Sequence, residues 1–117
     1  MNWGLAAALT MVALTHRAPP MRVAHVTAYC AACNTPRHSD KGRYGRLKKG
    51  DIAADPAYWK PGTRIYIVGI GKCRVRDTGG AVNGKDRFDV YLGPKCNCSC
   101  DRWGATHKAR YEYRRVR

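Results

Sequence analysis

Two aspartates, Asp77 and Asp89, flank a glycine-rich segment that reads R-V-R-D-T-G-G-A-V-N-G-K-D-R-F-D-V-Y over residues 74–91. Carboxyl groups are scarce in this chain, which has 8 Asp and Glu against 22 Lys and Arg. Carboxyl groups with a raised pKa serve as general acids and bases, so the pair is a candidate for acid–base chemistry. Two structural roles stay open, because Asp77 could cap the backbone of residues 78–80 and Asp89 could form an ion pair with Arg87.

The elements around these aspartates are predicted to be strands. In segment 87–92 the apolar side chains are Phe88, Val90 and Leu92, and they alternate with Arg87, Asp89 and Tyr91. Successive side chains of a strand point to opposite faces, so Asp89 should face solvent or a groove rather than the core. Further strands are predicted at residues 22–29, 63–70, 73–76 and 110–117, with a long loop over 31–50 and one short helix within 100–109. Many short strands and few helices indicate a small, mainly β barrel.

Composition limits the partners without choosing one. At 117 residues the chain is one domain, and its 44% hydrophobic content indicates a folded protein. The formal net charge of +14 favours a polyanionic neighbour, such as nucleic acid, a membrane surface or the bacterial cell wall, although a basic surface can also serve solubility alone. The chain contains no phosphate-binding glycine motif and no nucleic-acid-binding motif.

The six cysteines are consistent with two kinds of cross-link. They are Cys30, Cys33, Cys73, Cys96, Cys98 and Cys100. An even number of cysteines in a small exported domain favours disulfides, although the sequence does not choose among 15 pairings. A zinc site is the alternative, built from Cys30 and Cys33 together with two cysteines of the cluster at 96–100 or with His38. The spacing at 96–100 differs from the second C-x-x-C of a zinc ribbon, so disulfides or structural thiols are favoured.

The N-terminal segment suggests export. Residues 3–14 form an uncharged apolar run of the length of a signal-peptide core, too short to span a bilayer. No Lys or Arg precedes the run, and the alternative is a hydrophobic first element of the fold. We therefore expect a signal peptide or apolar segment at 1–20, and a barrel domain at 21–117.

Four ordered motifs resemble a known family. They read V-T-A-Y-C, then I-A-A-D-P with P-G-T-R-I-Y-I-V-G-I-G, then V-R-D-T-G-G-A-V-N-G, then F-D-V-Y, and they span residues 24–93. Together they resemble the three-aspartate (3D) domain of bacterial and phage wall-active proteins, which is similar to the catalytic barrel of membrane-bound lytic transglycosylase A. The resemblance implies a six-stranded double-psi β-barrel with one or two short helices, and no cofactor.

The resemblance also implies an activity. Lytic transglycosylases cleave the MurNAc–GlcNAc β-1,4 bond of peptidoglycan and form a 1,6-anhydro sugar. By family position Asp89 would be the single acid/base, with Asp77 and Asp55 shaping the site. Substrate-binding residues would be Thr27, Tyr29, Thr78, Gly79, Gly80 and Tyr91. The implied partners are peptidoglycan glycan strands and anionic cell-wall polymers, bound by a monomer that is secreted, periplasmic or wall-associated; no nucleic-acid partner is expected.

The chain departs from the family pattern in the turn and near its C-terminus. Asn83 replaces a lysine, residues 84–88 carry one extra residue, and the cysteine cluster at 96–100 stands where a helix-forming stretch is usual. Two other functions therefore stay open. One is a barrel that binds glycan or wall polymer without cleaving it, and the other is a cysteine–zinc module that binds nucleic acid.

Overall fold

The computed structural model describes residues 20–32, 39–94 and 110–116, which form eight strands and no helix. The strands are β1 (Arg22–Tyr29), β2 (Lys41–Gly42), β3 (Gly45–Arg46), β4 (Asp51–Ala54), β5 (Arg64–Ile67), β6 (Gly71–Asp77), β7 (Arg87–Tyr91) and β8 (Arg110–Val116). The expected helix within 100–109, the N-terminal segment 1–19 and four of the cysteines lie outside these ranges. Within them, no helix is long and apolar enough to cross a membrane.

Six of the strands close into a barrel in the order β1-β7-β4-β6-β5-β8. The β1–β7 and β4–β6 pairs are parallel, and the other four pairs are antiparallel. This closed six-stranded barrel confirms the fold class expected from the sequence. The strand expected at 63–70 is shorter than predicted, because residues 68–70 form a turn in which the Ile70 amide donates to the Ile67 carbonyl at 3.0 Å.

The barrel interior is filled by apolar side chains that alternate along the strands. Tyr113 packs edge to face against both Trp59 and Phe88, which are tilted relative to each other, and the three ring centroids are 5.0–6.0 Å apart. Burying a side chain such as Phe88 contributes about 1.5–3 kcal/mol relative to leaving it exposed. The indole N–H of Trp59 donates to the Lys85 carbonyl at 2.9 Å, so this ring also fixes the chain just before β7. Its neighbour Tyr58 is 56% exposed.

A second apolar cluster lies on the outer side of β4 and its neighbours. It consists of Tyr29, Ala31, Leu47, Ala53, Val82 and Tyr91. Strand β4 is consequently covered on both faces, and all four of its residues are buried. This cluster forms the floor beneath Asp77 and Asp89, because Ala53 belongs to it and pairs with both aspartates.

The hairpin of β2 and β3 interrupts the region expected to be one long loop. Its turn lies against β6, since the Tyr44 amide donates to the Arg76 carbonyl at 3.1 Å. A Cβ at Gly42 would lie 2.7 Å from the same carbonyl oxygen, so only glycine permits this approach. The hairpin therefore forms one wall beside the end of β6.

Candidate functional site

A β-bulge sets the direction of Asp77. Along the parallel β4–β6 pair, Ile52 is opposite Val75, but Ala53 is opposite Asp77, so Arg76 is the extra residue. In a regular strand Asp77, which is two positions after the buried Val75, would point into the barrel as Val75 does. The bulge instead aligns Asp77 with the outward-facing Ala53, in the way that bulges re-aim side chains next to functional sites.

The bulge completes a row of side chains across four strands. Asp77 on β6 pairs with Ala53 on β4, Ala53 pairs with Asp89 on β7, and Asp89 pairs with Thr27 on β1. Residues directly opposite on paired strands project from the same face. Two strand spacings separate the aspartates, which places their backbones roughly 10 Å apart. Only the methyl group of Ala53 stands between them in this row, and the charge of Asp77 acts on Asp89 across it.

Asp89 is a half-buried carboxyl group with one anchored oxygen. The Thr27 hydroxyl donates to its Oδ1 at 2.9 Å, and Nη1 of Arg87 donates to the Thr27 oxygen at 2.9 Å. Burial is the main cause that raises the pKa of Asp89, and the charge of Asp77 raises it further. The Thr27 hydrogen bond and the Arg87 charge oppose this rise without cancelling it. The result is a carboxyl group that holds its proton to higher pH than an ordinary aspartate.

Asp77 is anchored more firmly than Asp89. Its side chain is buried, its Oδ2 accepts from the Tyr29 hydroxyl at 2.9 Å, and its Oδ1 accepts from the amides of Arg43 at 2.7 Å and Thr78 at 2.9 Å. Burial and the neighbouring Asp77 charge together raise the pKa of Tyr29, so the phenol stays protonated and acts as a donor. Three donors therefore fix Asp77 in one orientation, and the expected cap on Thr78 is one of them.

Asp55 occupies a separate position and binds backbone amides rather than side chains. Its Oδ1 accepts from the Ala57 amide at 2.9 Å, and its Oδ2 accepts from the Gly84 amide at 2.7 Å. These backbone hydrogen bonds, that of Gly84 foremost, lower the pKa of Asp55. Gly84 has φ +94, which favours glycine, and Asp55 thus holds the residue at which the turn departs from the family pattern. Asn83 closes the same turn by donating to the Gly80 carbonyl at 2.8 Å.

The other residues expected at the site fall into two groups. Thr78, Gly79 and Gly80 follow Asp77 on the rim, and the two glycines are exposed. Tyr91, in contrast, is 1% exposed and packs against Tyr29 with ring centroids 5.4 Å apart. The structure therefore places Tyr91 behind Tyr29 as a support, away from the surface at which a substrate would be bound.

Sequence reasoning missed three contributors to the site. The sequence indicates Arg87 only as an ion-pair partner of Asp89, whereas in the structure it reaches the carboxyl group through the Thr27 hydroxyl. Nothing in the sequence singles out Ala53, whose small side chain stands between Asp77 and Asp89 in the row. Arg43 contributes its backbone amide, and nothing in a basic, glycine-containing segment indicates that its main chain will reach Asp77.

The described residues do not include a metal centre. Within 20–32, 39–94 and 110–116, no three His, Cys, Asp or Glu side chains are grouped as metal ligands would be. The expected alternative ligands Cys33, Cys96, Cys98 and Cys100 lie outside those ranges, and no disulfide joins the two described cysteines, Cys30 and Cys73, which are both buried. Burial raises the pKa of Cys73 to about 11, so this thiol stays protonated at neutral pH.

Comparison with known proteins agrees with the motifs. A family model of the 3D domain matches residues 51–113, which is more than half of the chain. A relative, "Cell wall-binding protein YocH" of Bacillus subtilis (strain 168), is 38% identical over 53 residues. That match covers 45% of this chain and 17% of the relative. Asp55, Asp77 and Asp89, the three aspartates expected from the motifs, stand on or next to three neighbouring strands of one closed barrel. The chain belongs to the 3D domain family.

Proposed function

We propose that this protein is a cell-wall protein that cleaves the MurNAc–GlcNAc β-1,4 bonds of peptidoglycan as a lytic transglycosylase, with Asp89 as the single acid/base. The observation that carries the proposal is the environment of Asp89: a carboxyl group with a raised pKa, one oxygen anchored by Thr27 and a second carboxyl group opposite. The name of the B. subtilis relative supports the wall as the location of the substrate.

The first step is proton donation. Protonated Asp89 gives its proton to the glycosidic oxygen as the bond from that oxygen to C1 of MurNAc breaks, and GlcNAc leaves with a new hydroxyl group. A raised pKa makes the protonated form available at the pH at which the enzyme works. As the carboxyl group becomes negative, the Thr27 hydroxyl and the nearby Arg87 charge stabilise it, since both favour the ionised form.

The second step returns the proton. Ionised Asp89 accepts the proton of the C6 hydroxyl of the same MurNAc, and O6 forms a bond to C1. The products are a 1,6-anhydro sugar and a chain that ends in GlcNAc, and Asp89 is protonated again. Water is neither consumed nor released, so a single carboxyl group suffices, in contrast to the pair that glycoside hydrolysis uses.

Asp77 and Tyr29 would tune this cycle without transferring a proton. The charge of Asp77 favours the protonated form of Asp89, and the Tyr29 hydroxyl and two backbone amides hold Asp77 in place. Asp55 would act only indirectly, because it fixes the turn that carries Thr78, Gly79 and Gly80. In the proposed complex these rim residues and Thr27 contact the glycan strand.

A non-catalytic wall-binding barrel is the second candidate. The observation that favours it is the name of the B. subtilis relative, which describes binding alone. In that case Asp89 would be a hydrogen-bonding group for a sugar hydroxyl, and its protonation state would not matter for function. The two candidates differ in whether a covalent product is formed.

The decisive experiment is to incubate purified peptidoglycan with the protein and to analyse the soluble products by mass spectrometry. We expect muropeptides that are lighter by one water than the products of hydrolysis. Asp89→Asn keeps the shape of the side chain but cannot donate and accept the proton, and it should release these products about 100- to 10,000-fold more slowly. Asp40→Asn is the matched control, because it removes a carboxylate from the start of the hairpin, where its ion pair is with Arg46.

Three results would contradict the proposal. Reducing-end products would show that the same carboxyl groups carry out hydrolysis. Equal activity of Asp89→Asn and wild type would remove Asp89 from the chemistry. Sedimentation with intact peptidoglycan, without product from any wall type, would establish the binding barrel.

A further inference from the structure

A small cleft on the outer face of the barrel is lined by cations. It has a volume of about 220 Å³, lies at the start of β4 beside β5 and β6, and is distinct from the row of Asp77 and Asp89. Its lining residues are Lys49, Gly50, Asp51, Arg64, Lys72, Cys73 and Arg74. Four of these side chains are positive and one is negative, which leaves a local charge of about +3 in a space that fits one small anionic group.

The charge in this cleft is only partly compensated. Asp51 is buried, and its two oxygens contact Nε of Arg74 at 3.6 Å and the Lys48 amide at 2.8 Å. Among the described residues, Lys49, Arg64 and Lys72 form no ion pair, and all three are exposed. Arg64 also lies directly opposite Arg74 in the β5–β6 pair, and like charges in such a position repel each other. A bound anion would remove this repulsion.

A second tier of cations begins at Lys72, which itself lines the cleft, and continues to Arg114. Tyr66, two residues after Arg64, pairs with Lys72 on one side and with Arg114 on the other. The tiers of Arg64 and Tyr66 are therefore separated by two residues along the strand, or roughly 7 Å. The Arg114 guanidinium lies 5.6 Å from the centre of the Tyr66 ring, which holds this cation on the outer face. Cations arranged in this succession could bind a polymer that carries an anionic group in each repeating unit.

We propose that this cleft binds the phosphate groups of a polyol-phosphate polymer of the bacterial cell wall. Arginine guanidinium groups match phosphate oxygens in a two-pronged geometry, and lysines add charge from the rim. One phosphate would occupy the cleft between Arg64 and Arg74, and the next would face Lys72 and Arg114. The cell-wall origin of the polymer rests on the proposed function. The phosphate site itself rests on the positive side chains that line the cleft.

The aromatic side chain in this surface argues against single-stranded nucleic acid as the ligand. Proteins that bind it place open aromatic faces along the groove, on which bases stack. The ring of Tyr66 is half-buried and Arg114 lies over one of its faces, so it is a poor platform for a base. A flexible phosphodiester chain without bases needs only the cations.

The test is calorimetric titration of the whole protein with soluble poly(glycerol phosphate), which contains no glycosidic bond. We expect a double variant, Arg64→Gln with Lys72→Gln, to bind roughly 10- to 100-fold more weakly, because it loses two charge-assisted contacts. The matched control is Arg110→Gln with Lys60→Gln, which removes the same two charges from exposed positions elsewhere. The control should lose less than threefold, and both variants should unfold at the temperature of the wild type.

Other outcomes would overturn the proposal. Equal losses in the two double variants would mean that affinity comes from overall charge. Equally tight binding of poly-glutamate would mean that the cleft does not recognise phosphate. Tighter binding of a single-stranded oligonucleotide, lost in the cleft variant alone, would assign the cleft to nucleic acid. Because the polymer is not a substrate for glycan cleavage, each of these results is independent of whether Asp89 catalyses the proposed reaction.

Discussion

Asp86 and Asp89 are three residues apart, yet their surroundings shift their acidity in opposite directions. Asp86 precedes β7 at the surface, where Arg22 contacts both of its oxygens at 3.0 and 2.8 Å and the Tyr113 hydroxyl donates to Oδ1. The Arg22 guanidinium is the main cause that lowers the pKa of Asp86 to about 2. Burial instead raises the pKa of Asp89.

The difference shows how one barrel lowers the pKa of one aspartate and raises the pKa of another. Asp86 has a cation in direct contact and keeps its charge at any ordinary pH. Asp89 has its cation, Arg87, only through the Thr27 hydroxyl, and a second carboxyl group faces it across Ala53. A direct ion pair stabilises the charged form of a carboxyl group, whereas burial next to a like charge favours its protonated form.

The largest expected difference is in turnover of peptidoglycan. We expect Asp89→Asn to lower the turnover rate by about 100- to 10,000-fold, the usual contribution of a general acid or base. Asp86→Asn should change it less than threefold, because Asp86 is occupied by Arg22 and Tyr113. The measurement is the initial rate of release of soluble muropeptides, and similar losses in the two variants would abolish the distinction.

A smaller effect should appear in the pH dependence of that rate. Activity should fall as the pH rises through the pKa of Asp89, since the protonated form starts the reaction. Asp77→Asn removes the charge that raises this pKa and should move the fall to lower pH. Thr27→Val removes a hydrogen bond that lowers the pKa of Asp89, so the decline in activity should move to higher pH.

At a fixed pH on this limb the two variants should differ from wild type by about two- to tenfold, the worth of one hydrogen bond or neighbouring charge. Complete pH–rate profiles separate this shift from a general loss of activity. Shifts of Asp77→Asn and Thr27→Val in the same direction would contradict the assignment of the two neighbours.

The smallest effect concerns stability. The folded-state pKa of Asp86, about 2, is below the ordinary value of 3.8, so its stabilising contribution is present above pH 3.8 and is lost as the pH falls through about 2. Asp86→Asn should therefore lower the free energy of unfolding at pH 7 by about 0.5–1 kcal/mol, the worth of a partly exposed ion pair.

The effect of the substitution on the free energy of unfolding should have the opposite sign at Asp89. Its folded-state pKa is raised, so the ionised group costs stability above that pKa, and Asp89→Asn should be at least as stable as wild type at pH 7. Thermal unfolding of both variants at pH 7 and at pH 2 provides the comparison. A loss at pH 7 in Asp89→Asn as large as that in Asp86→Asn would show that Asp89 is a structural group as well.

Much of the barrel could be predicted from local sequence. The β-branched and aromatic runs of β1 and β5 and the alternation of β7 indicate strands directly, and the alternation also placed Asp89 opposite the core. Strand β4 was missed, because D-I-A-A is short and buried on both faces and so shows no alternation. The hairpin at 41–46 was missed because contacts with β6, absent from any local pattern, hold it in place.

The candidate site was predicted in its residues but not in its geometry. The motif resemblance named Asp77 and Asp89, and their apposition depends on the extra residue at Arg76, which appears only when β4 and β6 are paired. The opposite acidities of Asp86 and Asp89 depend on which cation each carboxyl group contacts, and Arg22 is 64 residues from Asp86 in sequence. Long-range pairing of this kind leaves no signal in a single chain.

The most direct test is a titration of the aspartate side-chain carboxyl carbons by NMR, with Asp86 and Asp89 assigned from their Asn variants. The structure predicts that Asp86 titrates at about 2 and that Asp89 titrates above the ordinary aspartate value of 3.8 in the same sample. An Asp89 resonance that titrates at or below 3.8 would remove the physical basis for its role as the acid.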